Sequence, residues 1–213
     1  AGAAVGALWA GGLDAAAIAR IAQTLDWGNA GRWTWSVRGL QRNDALREAI
    51  DRALDGRRIE ELPIRFGAVA SDAMSGEAVL LDRGPAALAV AASSAVPVWF
   101  EPVRIGGREL LDGSLTAPVP VDAARALGAE VVVAVDVAYR PHEQAPLGLA
   151  GLAFQSLHIL GNALPREPTR RADFTLRLDL HHLMHERFDP GALIDAGERA
   201  LLGVAPALRA RLG

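Results

Sequence analysis

The sequence predicts an α/β fold, and three observations carry that reading. The run Glu130-Val131-Val132-Val133-Ala134-Val135-Asp136-Val137 is almost continuously apolar, the pattern of a strand buried on both faces of a parallel sheet. It follows a short helical stretch, Val121 to Leu127, that Gly128 ends. Helical and strand patterns also occur on both sides of this pair, as in a chain whose helices and strands share one core. With 213 residues and no linker-like segment, a single domain spanning 1–213 is expected.

The elements follow in order. Ala1 to Ala10 is built almost wholly of small residues, with Leu8 and Trp9 the first large ones, and Gly11-Gly12 supplies a stop, so a closely packed helix is predicted. Asp14 caps a second helix to about Leu25, with Ile18, Ile21, Ala22 and Leu25 at helical spacing. Trp27 to Leu40 reads as a loop; its Trp27, Trp33 and Trp35 either rim a site for an apolar substrate or simply pin the loop. Asn43 or Asp44 caps a helix to about Leu54, closed by Asp55-Gly56, and Ile59 to Leu62 adds a turn. Pro63 opens a buried strand, Ile64 to Ala70, and the turn at Ser75-Gly76 leads to a second, Glu77 to Leu81. Gly84-Pro85 begins an alanine-rich helix to about Ser93. Val103-Arg104-Ile105, Gly106-Gly107 and Glu109-Leu110-Leu111 form another hairpin that ends on Asp112. After the central pair come a helix from about Leu147 to Leu164, a strand from Asp173 to Leu180, and two helices, Pro190 to Leu202 and Val204 to Leu212.

The totals exclude several partners and chemistries. A formal charge of -3 and a pI near 6.0 leave no broad basic surface, so nucleic acid is not an expected partner. With no cysteine there are no disulfides, thiolate metal sites or cysteine nucleophile. The apolar stretch Leu147 to Leu164 is interrupted by Gln155, Ser156, His158 and Asn162 and does not suit a membrane span. Its Leu149, Leu152, Phe154 and Leu157 would either dock on a membrane surface or partner, or cover the sheet as core.

Asp112 stands out for its place. It ends an apolar run, precedes Gly113, and is followed by Pro118 and Pro120, which delay regular structure until Val121. An acid at a strand-to-loop junction suits catalysis, and the same pattern describes a turn aspartate; spacing alone leaves both open.

Several motifs taken together resemble one family. Phe66-Gly67-Ala68-Val69-Ala70-Ser71-Asp72, Ser75-Gly76-Glu77, Ala92-Ser93-Ser94-Ala95-Val96-Pro97, Leu111-Asp112-Gly113 and Pro118-Val119-Pro120-Val121 resemble, in order and spacing, the patatin-like phospholipases, particularly the bacterial ones, from Ala1 to about Leu202. The resemblance implies a three-layer α/β/α sandwich with a mainly parallel central sheet. It implies a catalytic pair made of a serine in a Gly-x-Ser-x-Gly elbow and an aspartate in an Asp-Gly-Gly or Asp-Gly-Ala motif. Asp112-Gly113 matches the second motif, with Ser114 departing at the third position, and Ala1-Gly2 matches the tail of the elbow. In that register the serine immediately precedes Ala1, the strand leading to the elbow and a glycine-rich oxyanion loop lie upstream, and residues 1 to 213 alone would be inactive. The activity so implied is serine-dependent hydrolysis of phospholipid, lysophospholipid or other lipid esters, with transient membrane-surface contact and with no calcium or other cofactor. Nothing in the sequence addresses oligomeric state or compartment.

Ester hydrolysis by a serine needs a base for the hydroxyl proton, donors for the oxyanion and an acid for the leaving group. By the resemblance Asp112 serves as base and then acid, and Leu110, Leu111 and Leu115 would supply an apolar setting for its carboxyl group. The Ala1 N–H would donate to the oxyanion, the helix starting there would aim its positive end at the site, and Gly2 would keep the elbow open. Rival readings are set beside it. His142, His158, His181, His182 and His185 all follow Asp112, the order of a Ser-His-Asp hydrolase. His181 and His185 would share a helical face and hold a metal, with solvated loop histidines the simpler reading. Asp72 and Asp136, at strand ends, either line the site or cap turns, and Ser71, Ser93, Ser94 and Ser114 lack a Gly-x-Ser-x-Gly setting. A non-catalytic binding or regulatory domain with the same fold is the alternative of another class.

Overall fold

The computed structural model describes residues 2–24, 32–36, 39–137, 148–163, 171–178 and 190–213, which fall into two compact units, Ala1–Pro118 and Val119–Gly213. In the first unit small residues set the packing. Helix α1 (Gly2–Ala10) buries Ala4, Ala7, Leu8 and Ala10. It stops where its glycines predict: Gly12 takes φ +93°, its N–H bonds the Trp9 carbonyl at 2.9 Å, and the Leu13 N–H bonds the Leu8 carbonyl at 3.1 Å. This paired closure satisfies carbonyls the helix end would orphan, and it needs a left-handed residue. Helix α2 (Ala15–Thr24) begins where Asp14 Oδ1 accepts the Ala17 N–H at 2.7 Å.

The loop expected over Trp27 to Leu40 is, in its described part, a hairpin: β1 (Arg32–Ser36) pairs antiparallel with β2 (Gly39–Arg42). Its polar and aromatic residues alternate, Arg32-Trp33-Thr34-Trp35-Ser36, which is a strand pattern in its own right. Trp27 lies outside the described residues. Helix α3 (Asp44–Ala53) follows, and Asn43 before it makes no side-chain cap bond. Buried Asn43 instead donates from Nδ2 to the Ala91 and Ser94 carbonyls at 3.3 and 3.4 Å, serving the end of a later helix. At the exit of α3, Asp55 and Gly56 take φ +52° and +69°, and the Gly56 N–H returns to the Asp51 carbonyl at 2.9 Å.

Strand β3 (Ala68–Asp72) starts later than the predicted Ile64, because that segment serves α1: the Ile64 N–H bonds the Ala10 carbonyl at 3.2 Å. β3 pairs with β4 (Ala78–Leu81) on one side and with β6 (Arg108–Asp112) on the other, and β5 (Val103–Ile105) closes the order β4-β3-β6-β5. The β5–β6 turn is Gly106-Gly107 at φ +57° and +79°, the two-residue left-handed geometry whose twist suits paired strands. Helix α4 (Ala86–Ser93) buries Ala86, Ala87, Ala89, Val90, Ala91 and Ala92 and packs against β3, β6, α3 and α1. Alanine at nearly every position lets one helix be enclosed on several sides at short range.

In the second unit, α5 (Val121–Ala126) leads to β7 (Val133–Asp136), which pairs in parallel with β8 (Phe174–Arg177). Asp173 ties these together: its Oδ2 accepts from Arg125 Nη2 at 2.6 Å and from the Val132 N–H at 2.8 Å. The Val132 N–H and then the Arg125 guanidinium hold its carboxyl below the ordinary range. Helix α6 (Gly148–Ala163) leaves Leu152, Ile159 and Leu160 exposed, so this face is not enclosed as a core helix would be. The two helices predicted after Pro190 form one, α7 (Pro190–Leu212), which runs through Gly203 and Pro206. A proline there removes one internal hydrogen bond, and the carbonyl released belongs to Leu202, at an exposed position.

The α/β class stands. The expected mainly parallel central sheet does not match the described strands: the four-stranded sheet is antiparallel at every pairing, and only β7–β8 is parallel. Two tight hairpins, closed by Ala73 to Gly76 and by Gly106-Gly107, enforce that direction for β3–β4 and β5–β6, and the central β3–β6 pairing joins the two antiparallel. Strand β7 also departs from burial on both faces, since Ala134 and Asp136 are buried while Val135 is exposed.

The junction before α4 carries a titratable lock. Glu60 Oε2 accepts the Gly84 N–H at 2.8 Å, and Oε1 accepts Arg58 Nε at 2.9 Å. Its own backbone N–H first, then Gly84 and Arg58, bring its pKa from the usual 4.5 to about 2. A lowered carboxylate pKa stabilises the fold fully above 4.5, and that contribution is lost as pH falls through about 2. Glu60→Gln should therefore melt below the parent at neutral pH, with the gap constant down to pH 4.5 and shrinking from there to about 2. Thermal unfolding across a pH series checks this; a gap that widens in acid would contradict it.

Candidate active site

Asp112 is the last residue of β6, paired in register with Ala70 of β3, and its backbone turns at φ -50°, ψ 132° into the single 3-10 turn Gly113–Leu115. Every backbone polar group of this half-buried residue is engaged. Its N–H donates to the Ala95 carbonyl at 2.9 Å, and its own carbonyl accepts from Ser71 Oγ at 2.8 Å. Its carboxylate Oδ1 accepts the Ser114 N–H at 2.8 Å, while Oδ2 has no hydrogen-bond partner among the described residues. One carboxylate oxygen thus holds the side chain, and among the described residues the other is not engaged. Leu110 is fully buried beneath the site, and Leu111 and Leu115 are half-buried around it.

Gly113 has a steric reason for being glycine. A Cβ there would run into the backbone carbonyl of Val69, which cannot swing aside because β3 is paired on both edges. The turn carrying Asp112 therefore lies directly on β3. Ser114 meets no such limit, being exposed, so its departure from a small apolar third residue costs nothing in packing. Behind the site, Ala95 follows the C-terminal end of α4, and Val98, a β-branched residue, takes φ +75°. Strain of about 1–3 kcal/mol is typical for such a residue, stored here beside the loop that grips the Asp112 N–H.

The other expected residues divide clearly. Ala1 lies outside the described residues. Gly2 begins α1, with open space where a Cβ would stand, and α1 packs on α4, whose continuation holds Asp112. Asp72 is a turn residue: its Oδ1 accepts the Met74 and Ser75 N–H groups at 2.9 and 3.3 Å, and Arg108 Nη1 reaches its Oδ2 at 3.3 Å. The Met74 N–H chiefly, then Ser75 and Arg108, hold its carboxyl below the ordinary range, which suits a cap rather than a base. Asp136 is buried at the end of β7 with Arg177 Nε at 4.0 Å. His142, His181, His182 and His185, and with them the metal and triad readings, lie outside the described residues, as does the side chain of His158.

The family profile described as patatin-like phospholipase matches residues 1–125, a span that contains α1, the four-stranded sheet and the Asp112 turn. The chain belongs to the patatin-like phospholipase family. An uncharacterized NTE family protein of Mycobacterium tuberculosis is 33% identical over 102 residues, covering 48% of this chain and 28% of the relative. An uncharacterized NTE family protein of Mycobacterium bovis is 29% identical over 138 residues, covering 64% of this chain and 24% of the relative. This patatin-like chain thus aligns with about a quarter of the length of the relatives it matches.

Thr116 was not among the residues the sequence singled out, and Ser71 and Ala95 were given no link to Asp112 there. Ala95 and Ser71 sit inside family-like motifs, but no spacing rule joins positions 71 and 95 to 112; only the β3–β6 pairing and the packing of α4 do. The steric claim on Gly113 is checkable: Gly113→Ala should lower stability by roughly 1–3 kcal/mol, as overpacking against fixed backbone does. Equilibrium denaturation measures it, and an unchanged midpoint would show that the turn does not press on β3.

Proposed function

We propose that the protein is a serine-dependent lipid acyl hydrolase in which Asp112 is the base of a Ser-Asp pair. The observation that carries this reading is the half-engaged carboxylate: Oδ1 pinned by the Ser114 N–H, Oδ2 without a hydrogen-bond partner among the described residues, on a turn held at both backbone ends. Family membership supplies the reaction class, ester hydrolysis on phospholipid, lysophospholipid or related lipid esters. The nucleophile of this reading is a serine in an elbow whose tail is Ala1-Gly2, next to the N-terminus of α1.

In the first half-reaction Asp112 Oδ2 takes the serine proton as its oxygen adds to the ester carbonyl, and backbone N–H groups at the start of α1 receive the oxyanion. The tetrahedral adduct then collapses, the C–O bond to the alcohol breaks, and the proton held by Asp112 passes to that alcohol. In the second half-reaction Asp112 takes a proton from water, whose oxygen adds to the acyl-serine ester. Collapse of this adduct releases the fatty acid and returns the proton to the serine oxygen. One carboxylate serves all four transfers, so its orientation matters more than the presence of a third residue.

The test is Asp112→Asn in the full-length gene product, assayed on a short-chain nitrophenyl ester. An amide cannot accept the proton, so kcat should fall by about 10²- to 10⁴-fold with the melting temperature preserved. Turnover that survives this change in a folded protein would exclude Asp112 as the base.

A further inference from the structure

Ser71 is 3% exposed on β3, opposite Leu111 in the β3–β6 register, and makes two hydroxyl contacts, both to the turn that carries Asp112. Its Oγ–H donates to the Asp112 carbonyl at 2.8 Å, and its oxygen lies 2.8 Å from Thr116 Oγ1. Since the Ser71 proton is spent on the Asp112 carbonyl, the proton of the second contact belongs to Thr116. A one-way relay results, Thr116 to Ser71 to the backbone of Asp112. Asp112 is the last residue of the β3–β6 ladder, and neither of its backbone groups is held by a strand backbone: the N–H goes to the Ala95 carbonyl and the carbonyl to Ser71 Oγ. The hydroxyl pair supplies that hold and joins both ends of the turn, Asp112 and Thr116, to one point on a central strand.

From this geometry we infer that Ser71 and Thr116 are positioning residues for Asp112, a role that rests on the Ser-Asp reading. They touch neither carboxylate oxygen. The Ser114 N–H orients Oδ1 locally, so without Ser71 the carboxylate keeps its own contact while the turn as a whole gains freedom. The defect should therefore appear in the chemical step and leave substrate binding alone. Misplacement of a reacting group by a fraction of an ångström to 1 Å costs about tenfold to a hundredfold in rate.

The experiment uses the full-length gene product carrying Ser71→Ala, Thr116→Val, Thr116→Ser or Asp112→Asn, with kcat, KM and melting temperature measured for each on a nitrophenyl ester. S71A should lose about tenfold to a hundredfold in kcat with KM within roughly twofold of the parent. T116V, which keeps the shape and loses the hydroxyl, should fall in the same direction by less, and T116S, which restores the hydroxyl, should return to within roughly twofold. Folded S71A and T116V proteins that turn over at the parent rate would overturn the inference, as would a T116S protein as slow as T116V. If S71A does not fold, the T116V and T116S pair decides in the same terms. An inactive D112N beside a fully active S71A removes the positioning role alone, whereas an active D112N removes the Ser-Asp reading and this role with it.

Discussion

The pairing of β3 with β6 is the constraint on which the rest of the site depends. It brings Ala70 and Asp112 opposite one another, sets Ser71 against Leu111, and lays Gly113 on the Val69 carbonyl. Each of these contacts is worth little alone, since a single hydrogen bond contributes about 0.5–1.5 kcal/mol net. They act on one short turn, however, and β3 cannot yield because β4 occupies its other edge. The turn is thus held through its backbone and the carboxylate by the Ser114 N–H, with the other carboxylate oxygen unengaged among the described residues.

The alanine-rich composition serves the same end. α4 carries almost no amphipathic contrast and is buried on nearly every side, between the sheet and the helices α1 and α3. Small side chains permit that enclosure. At its C-terminus Asn43 Nδ2 adds a second donor to the Ala91 and Ser94 carbonyls, which already accept the Ser94 and Val96 N–H groups, while the Ala95 carbonyl just beyond accepts the Asp112 N–H. The close of a core helix and the backbone of the candidate base are therefore one hydrogen-bonded arrangement, and strained Val98 lies in the segment that leaves it.

Much of the fold was legible. Helix ends read from Gly11-Gly12 and Asp55-Gly56 formed as left-handed closures, and the Gly106-Gly107 hairpin delivered Asp112, because these features depend on φ preferences a few residues long. Failures had local causes too: the alternation in Arg32 to Ser36 was hidden among tryptophans, and Gly203 with Pro206 looked like a break in what is one helix. The β7 run formed the parallel strand its pattern predicts, while the mainly parallel central sheet implied by resemblance was not met by the four-stranded sheet, which is antiparallel. The motif Asp112-Gly113 was visible, but the reason for its glycine was not, since the obstructing atom belongs to Val69.

By itself, then, the sequence determined most of the elements and stops of the first unit, the family and the acid at the end of β6, all of which are encoded in short-range pattern. Only the tertiary structure decided that Asp72 is a turn cap with both oxygens engaged and that Asp112 has one oxygen without a hydrogen-bond partner among the described residues. Both are aspartates at strand ends, and the sequence cannot tell which backbone N–H groups will reach them. Each gives one carboxylate oxygen to N–H groups of its own turn; the difference lies at the second oxygen, which on Asp72 meets Arg108, brought in from 36 positions along the chain by the β3–β6 pairing, and on Asp112 meets no hydrogen-bond donor among the described residues.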